Sequence, residues 1–163
     1  MAQLKDLHDL LCHEVQAMYS AETLIVAGLP RMIEKAYNEE LKHAFRKHLT
    51  ETQKQVERLE EVAKLLDIDA DGDGNPGMKG IIAEGEKVMQ QNSESEVLDA
   101  ALICGAQKIE HYEIAGYGTA VYLAKELGLD SVARILEATL EEEKTTNEIL
   151  NNLAKNTVNP MAE

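Results

Sequence analysis

Two glutamates, Glu110 and Glu113, stand in the middle of a long helical pattern, in the string Glu-His-Tyr-Glu. A spacing of three puts both carboxylates on one helix face. The rest of that face is Ile103, Ala106, Tyr117 and Ala120, residues that belong in a core. Burying a carboxylate is costly unless a cation or a proton compensates. Three other helical segments repeat the anomaly. Glu22 falls on a stripe with Leu11, Val15, Met18, Ile25 and Leu29; His48, Glu51 and Gln55 continue the stripe of Leu41 and Phe45; Glu143 lies with Leu136, Leu140, Asn147 and Leu150. Carboxylates converging from four helices on one point are the arrangement of a two-metal site. Hard oxygen donors with an occasional imidazole suit iron or manganese better than copper or a structural zinc.

The elements that must position these residues are helices almost throughout. The first runs from about Gln3 to Pro30, where the proline kinks or ends it, with a turn or two over Met32 to Ala36 as a possible continuation. The second runs from about Asn38, a natural N-cap, to Leu66. A polar stretch, residues 67–77, is followed by a short helix from about Met78 to Gln91. The third long helix spans about Glu94 to Leu127, with Ser93 as cap and Gly128 as C-cap; the fourth runs from Asp130, its own cap, to about Ala154, before a frayed tail. No segment reads as a strand. Short turns near residues 37–38 and 128–130 make two antiparallel hairpins, and the long connection over about 67–93 is enough to cross the bundle. The expected fold is therefore all-α: a ferritin-like four-helix bundle of two antiparallel hairpins in one domain, residues 1–163, with a short extra helix in the crossover.

Level along the hairpins sorts the acids. Glu51, about 13 residues after the first turn, pairs with residues near 23–24, which favours Glu22 over Glu14. Glu143, about 14 residues after the second turn, pairs with residues near 114–115, close to Glu113. Glu22, Glu51, Glu113 and Glu143 thus share a layer, with Glu113 as a bridging ligand; His48 and Glu110 lie within a turn of it. A lone carboxylate on an apolar stripe is more often a surface residue at the stripe's edge, but four in one layer argue for a metal site. For His48 two roles stay open: ligand, or hydrogen-bonded histidine behind the ligands. His111 is off the face of Glu110 and is left out. Tyr112 and Tyr117 read as packing residues, with Tyr117 placed to hydrogen-bond a ligand carboxylate.

The chain of 163 residues has a net charge of −14, which disfavours nucleic acid or an anionic membrane as partner. No apolar run approaches the ~18 residues of a membrane span, and the N-terminus has no signal-like segment, so a soluble cytoplasmic protein is expected. Cys12 and Cys104 have no metal-ligand spacing and read as reduced, buried thiols. Asp69, Asp71, Asp73 and Gly74 imitate the start of a calcium loop, but Gly80 stands where the loop's closing glutamate belongs, so a polar turn is the better reading.

Four strings carry a family resemblance: Tyr19–Glu22 (YSAE), His48–Glu60 (HLTETQKQVERLE), Gln107–Ala120 (QKIEHYEIAGYGTA) and Thr139–Thr146 (TLEEEKTT). Together they resemble the bacterial YciE/YciF-type stress proteins, a ferritin-like family related in architecture to rubrerythrins. The resemblance implies a homodimer with a di-iron centre, and a role in stress or in iron, dioxygen or peroxide chemistry. In the general ferritin-like pattern Glu22, Glu51 and Glu143 match single ligands, and Glu110 with Glu113 matches the Glu-x-x-Glu of rubrerythrin-like proteins. Lys54 stands where that pattern has a histidine after Glu51, and Thr146 where it has a second ligand after Glu143. The leading reading is a di-iron (or di-manganese) carboxylate protein with iron, dioxygen or peroxide chemistry; the alternatives are a non-catalytic helical stress or interaction protein with a degenerate site, and a manganese catalase-like activity on the same ligands.

Overall fold

The computed structural model describes residues 4–91 and 95–163, and all of its regular structure is helical. Helix α1 (Leu7–Lys35) starts at an N-cap, Asp6, whose carboxylate accepts from the Asp9 amide. It begins later than expected: residues 4–6 are not helical, and Gln3 lies outside the described residues. Pro30 does not end it. The proline is exposed and the helix continues to Lys35. Helix α2 (Glu39–Leu65) starts as expected at Asn38, whose side-chain oxygen accepts from the Glu40 and Leu41 amides. The intervening turn is pinned from across the bundle, because the buried Asp99 accepts from the backbone N–H groups of Tyr37 (2.8 Å) and Asn38 (2.7 Å).

The crossover helix α3 (Pro76–Met89) begins two residues before the predicted start. Asn75 is its cap and Pro76 occupies the first turn, where a missing N–H costs nothing. Asn75 is buried and bonded through both ends of its amide: its oxygen accepts from the Met78 amide and the Tyr112 hydroxyl, and its NH₂ donates to the Ala17 carbonyl. Before it, the Gln16 amide donates to the carbonyls of Asp69 and Asp71; after it, Arg31 meets Glu86 at 3.4 Å. The crossover therefore climbs along α1. Its aspartates are exposed.

Helix α4 (Ser95–Glu126) and helix α5 (Asp130–Leu153) form the second hairpin. The cap proposed at Ser93 and a start at Glu94 lie outside the described residues. Gly128 ends α4 as expected, at φ 70°, letting Leu129 N–H reach back to the Ala124 carbonyl at 2.8 Å. Asp130 is not a cap: Leu129 holds that position, with no side-chain bond, and Asp130 sits in the first turn of α5. The tail is not frayed either. A π-helical turn, Ala154–Val158, and helix α6 (Asn159–Met161) follow, with Val158 buried. α1 packs against α2 and α4, and α5 against the same two, so the four long helices surround one core. No helix among the described residues is long and apolar enough to cross a membrane. The expectation of two buried thiols is corrected: Cys104 is exposed and Cys12 only half-buried.

Candidate metal centre

The apolar stripes that fold the bundle also carry its acids inward. Glu22, Glu110, Glu113 and Glu143 are each 0% exposed, among the most deeply buried residues of the chain, and His48 is buried beside them. Ligand atoms of His48, Glu110, Glu113 and Glu143 all lie within 4.8 Å of one another. His48 Nε2 approaches Glu110 Oε1 to 3.2 Å, but neither ring nitrogen makes a hydrogen bond. Glu22 lies against the same group: the charges of Glu22, Glu113 and Glu143 bear on one another, as do those of Glu110 and Glu143.

Glu51 stands at the edge. Its side chain is 20% exposed, one oxygen takes Lys47 Nζ at 2.7 Å, and the other oxygen is buried without a partner. The competitor Glu14 is only half-buried and outside the cluster, and Lys54 is exposed, so His48 is the imidazole that α2 brings inward. His111 is exposed, with Nδ1 on the Gln107 carbonyl at 2.8 Å.

Few donors serve these carboxylates. Tyr117, fully buried, donates its hydroxyl to Glu22. Gln55, also buried, donates to Glu143 and to Glu142. Glu142 is held away from the cluster by Arg58, which grips both of its oxygens at 2.6 and 2.8 Å. Sequence reasoning had placed Gln55 on the right stripe but overlooked Arg58; the signal was its i+3 spacing from Gln55. One oxygen each of Glu22, Glu51 and Glu143, both oxygens of Glu110 and Glu113, and both nitrogens of His48 remain buried and unpartnered. Buried polar groups are almost always satisfied, so this concentration of lone pairs fits a cation.

The electrostatics follow from burial. Desolvation, then the neighbouring Glu143 charge, holds the carboxyls of Glu22 and Glu110 well above the usual range, and desolvation followed by Glu22 does the same to Glu113. Desolvation raises Glu143 to about 7, against the adjacent Glu110 carboxyl and the Gln55 donor, which pull it down. His48 is pushed down to about 4, by burial first and the Lys47 charge second. It is a neutral imidazole at ordinary pH, the form that binds metals. A metal ion would stabilise every one of these groups in its ligating state.

A helical bundle of two hairpins with a long crossover, holding a buried carboxylate and histidine cluster, defines a ferritin-like protein with a potential metal site. The chain belongs to the family described as Domain of unknown function (DUF892), which matches residues 6–163, and so to the YciE/YciF-type bacterial stress proteins of the ferritin-like superfamily. Protein YciF of Escherichia coli (strain K12) is 41% identical over 161 residues, 98% of this chain and 97% of the relative. The crystal structure of that E. coli stress protein superposes with a TM-score of 0.91 at 41% identity, over 96% of this chain and 99% of the other. YcfI from Rhodopseudomonas palustris gives a TM-score of 0.89 at 43% identity, over 91% and 95%. A protein from Xanthomonas campestris pv. campestris, 22% identical, shares the fold with a TM-score of 0.75 across 96% of both chains.

Proposed function

We propose that the chain is a di-metal carboxylate protein binding two iron or manganese ions through Glu22, His48, Glu51, Glu110, Glu113 and Glu143. The observation that carries this reading is the set of buried carboxylate oxygens and imidazole nitrogens, from four helices, that no donor satisfies. Glu113, on which the charges of Glu22, Glu143 and Glu110 all bear, would be a central residue in holding the ions. His48 and Glu110, whose ligand atoms approach to 3.2 Å, would hold an ion together. Tyr117 and Gln55 orient one carboxylate each, Glu22 and Glu143, by hydrogen bonds that leave the second oxygen free. The ions would supply redox chemistry toward dioxygen or peroxide; the protein's share is to fix the ligands and exclude bulk water. A stress role is supported by the likeness to the E. coli stress protein YciF; a cytoplasmic homodimer is part of the same proposal.

A second reading, a non-catalytic stress or interaction protein with a degenerate site, draws on the exposed Lys54 and on Thr146 at the two positions where the general ferritin-like pattern has further ligands. Metal analysis of protein purified without chelator, with Glu51→Ala and Glu113→Ala alongside, separates the two. The leading reading expects about two ions per chain, lost or reduced in both variants. A parent chain that stays metal-free after loading with iron or manganese supports the degenerate site instead. Oxygen release from peroxide by the loaded protein then distinguishes catalase from oxidase chemistry.

A further inference from the structure

The ligand carboxylates of α1, α4 and α5 have no exposed surface, so a cation can reach them only past side chains that move. A cleft of about 550 Å³ between α2 and α5 ends at the cluster's edge. Glu39, Glu40, His43, Lys47 and Glu51 line it at helical spacing along one face of α2, and Thr146 faces them from α5. Glu51 straddles the boundary: one oxygen is held by Lys47 at 2.7 Å, and the other is buried and unpartnered. Its charge bears on both Glu110 and Glu143 inside, while the Lys47 charge bears on His48.

We propose that this cleft is the route by which a divalent cation reaches the site, and that Lys47 is its gate. The inference rests on the metal-binding reading above. Lys47 is 46% exposed at its side chain, so its bond to Glu51 is screened by water and easily exchanged. At the start of α2, Glu39 is paired with Lys42 at 2.7 Å, and Glu40 beside it adds the negative charge that draws cations to this end of the cleft. A dication arriving along the cleft displaces the ammonium group, which swings into solvent, and takes the Glu51 carboxylate as its first protein ligand. Glu51 then carries it to the buried oxygens behind. Lys47 thus plays a positioning part: it holds a ligand at the mouth while the site is metal-free.

The test is rapid mixing of the metal-free protein with Co²⁺, following visible absorbance for the rate, with equilibrium dialysis for the number of ions bound. Lys47→Met should bind about three- to tenfold faster than the parent, at unchanged stoichiometry, because the competing cation is gone. Lys47→Arg should restore the parent rate. The double substitution Glu39→Gln with Glu40→Gln should slow uptake and flatten its dependence on salt. Full binding by Lys47→Met at the parent rate overturns the gate and leaves the metal site standing. Loss of bound Co²⁺ in Lys47→Met also overturns it, since Lys47 would then be needed for the site itself. Failure of the parent to bind Co²⁺ overturns the metal reading and the gate together.

Discussion

Tyr117 and Glu22 show how the cluster is held at the level of single residues. The phenol is fully buried and its hydroxyl donates to Glu22. Tyr117→Phe removes that donor and leaves the ring in place. The metal-free protein should lose about 1–3 kcal/mol, the cost of a buried acceptor left unmet, read as a lower midpoint in urea at unchanged slope. Titration offers a second check. Glu143 holds its proton in the folded chain up to about 7, against an ordinary 4.5. Its contribution to stability is complete below pH 4.5 and is lost as the pH rises through about 7. Glu22, Glu110 and Glu113 shift in the same direction and add to the loss as the pH rises. His48 acts oppositely: its contribution is present above 6.5 and is lost as the pH falls toward about 4. Four carboxyls outweigh one imidazole, so the metal-free chain should melt lower at pH 8 than at pH 6. A loss of about 2 kcal/mol would lower the melting temperature by about 4–8 °C. A melting curve that rises over that interval would contradict the assigned burial.

At the scale of elements, two polar residues outside the cluster tie the crossover and the first turn to the bundle. Asn75 caps α3 while joining α1 and α4 through Ala17 and Tyr112. Asn75→Ala should cost about 2 kcal/mol or more, from a lost cap and two further buried hydrogen bonds. Tyr112→Phe, which removes one of those bonds, should cost about half as much; chemical denaturation measures both. The element pattern also shows what local sequence can and cannot tell. Asn38 and Gly128 were legible as punctuation because capping and positive φ are local chemistry. Pro30 left two outcomes open, and the helix takes the continuation over Met32 to Lys35, because a proline on the solvent side of a long helix loses one hydrogen bond without breaking the packing that supports the rest. The tail misled because its anchor, Val158, is a single apolar residue whose burial depends on distant partners.

For the whole molecule, the metal reading predicts a reversal of the acid-base behaviour. Metal binding must release the protons that the cluster holds, so it should strengthen with pH. Added Mn²⁺ or Co²⁺ should therefore raise the melting temperature more at pH 8 than at pH 6, and a chelator should abolish the difference. Equal stabilisation at both pH values would place the ions on the acidic surface, which a net charge of −14 makes attractive to any cation. Calorimetry in buffers of different ionisation enthalpy would count the protons released.

The sequence by itself determined the all-helical fold, the two hairpins and the crossover, because helical phase and turn length are local properties that survive without tertiary contacts. It also brought Glu22, Glu110, Glu113 and Glu143 inward, since each shares a stripe with residues that must be buried. The tertiary structure decided the rest. His48 turned inward with both nitrogens unpartnered, whereas Glu51, on the same stripe, stopped at the rim with Lys47; phase alone could not separate them, because they differ by less than a turn. Glu142 and Glu143 are adjacent in the chain, yet one is held by Arg58 and the other faces the cluster. Which of two neighbouring carboxylates finds a cation on the surface, and which is left without a donor, depends on side chains from other helices.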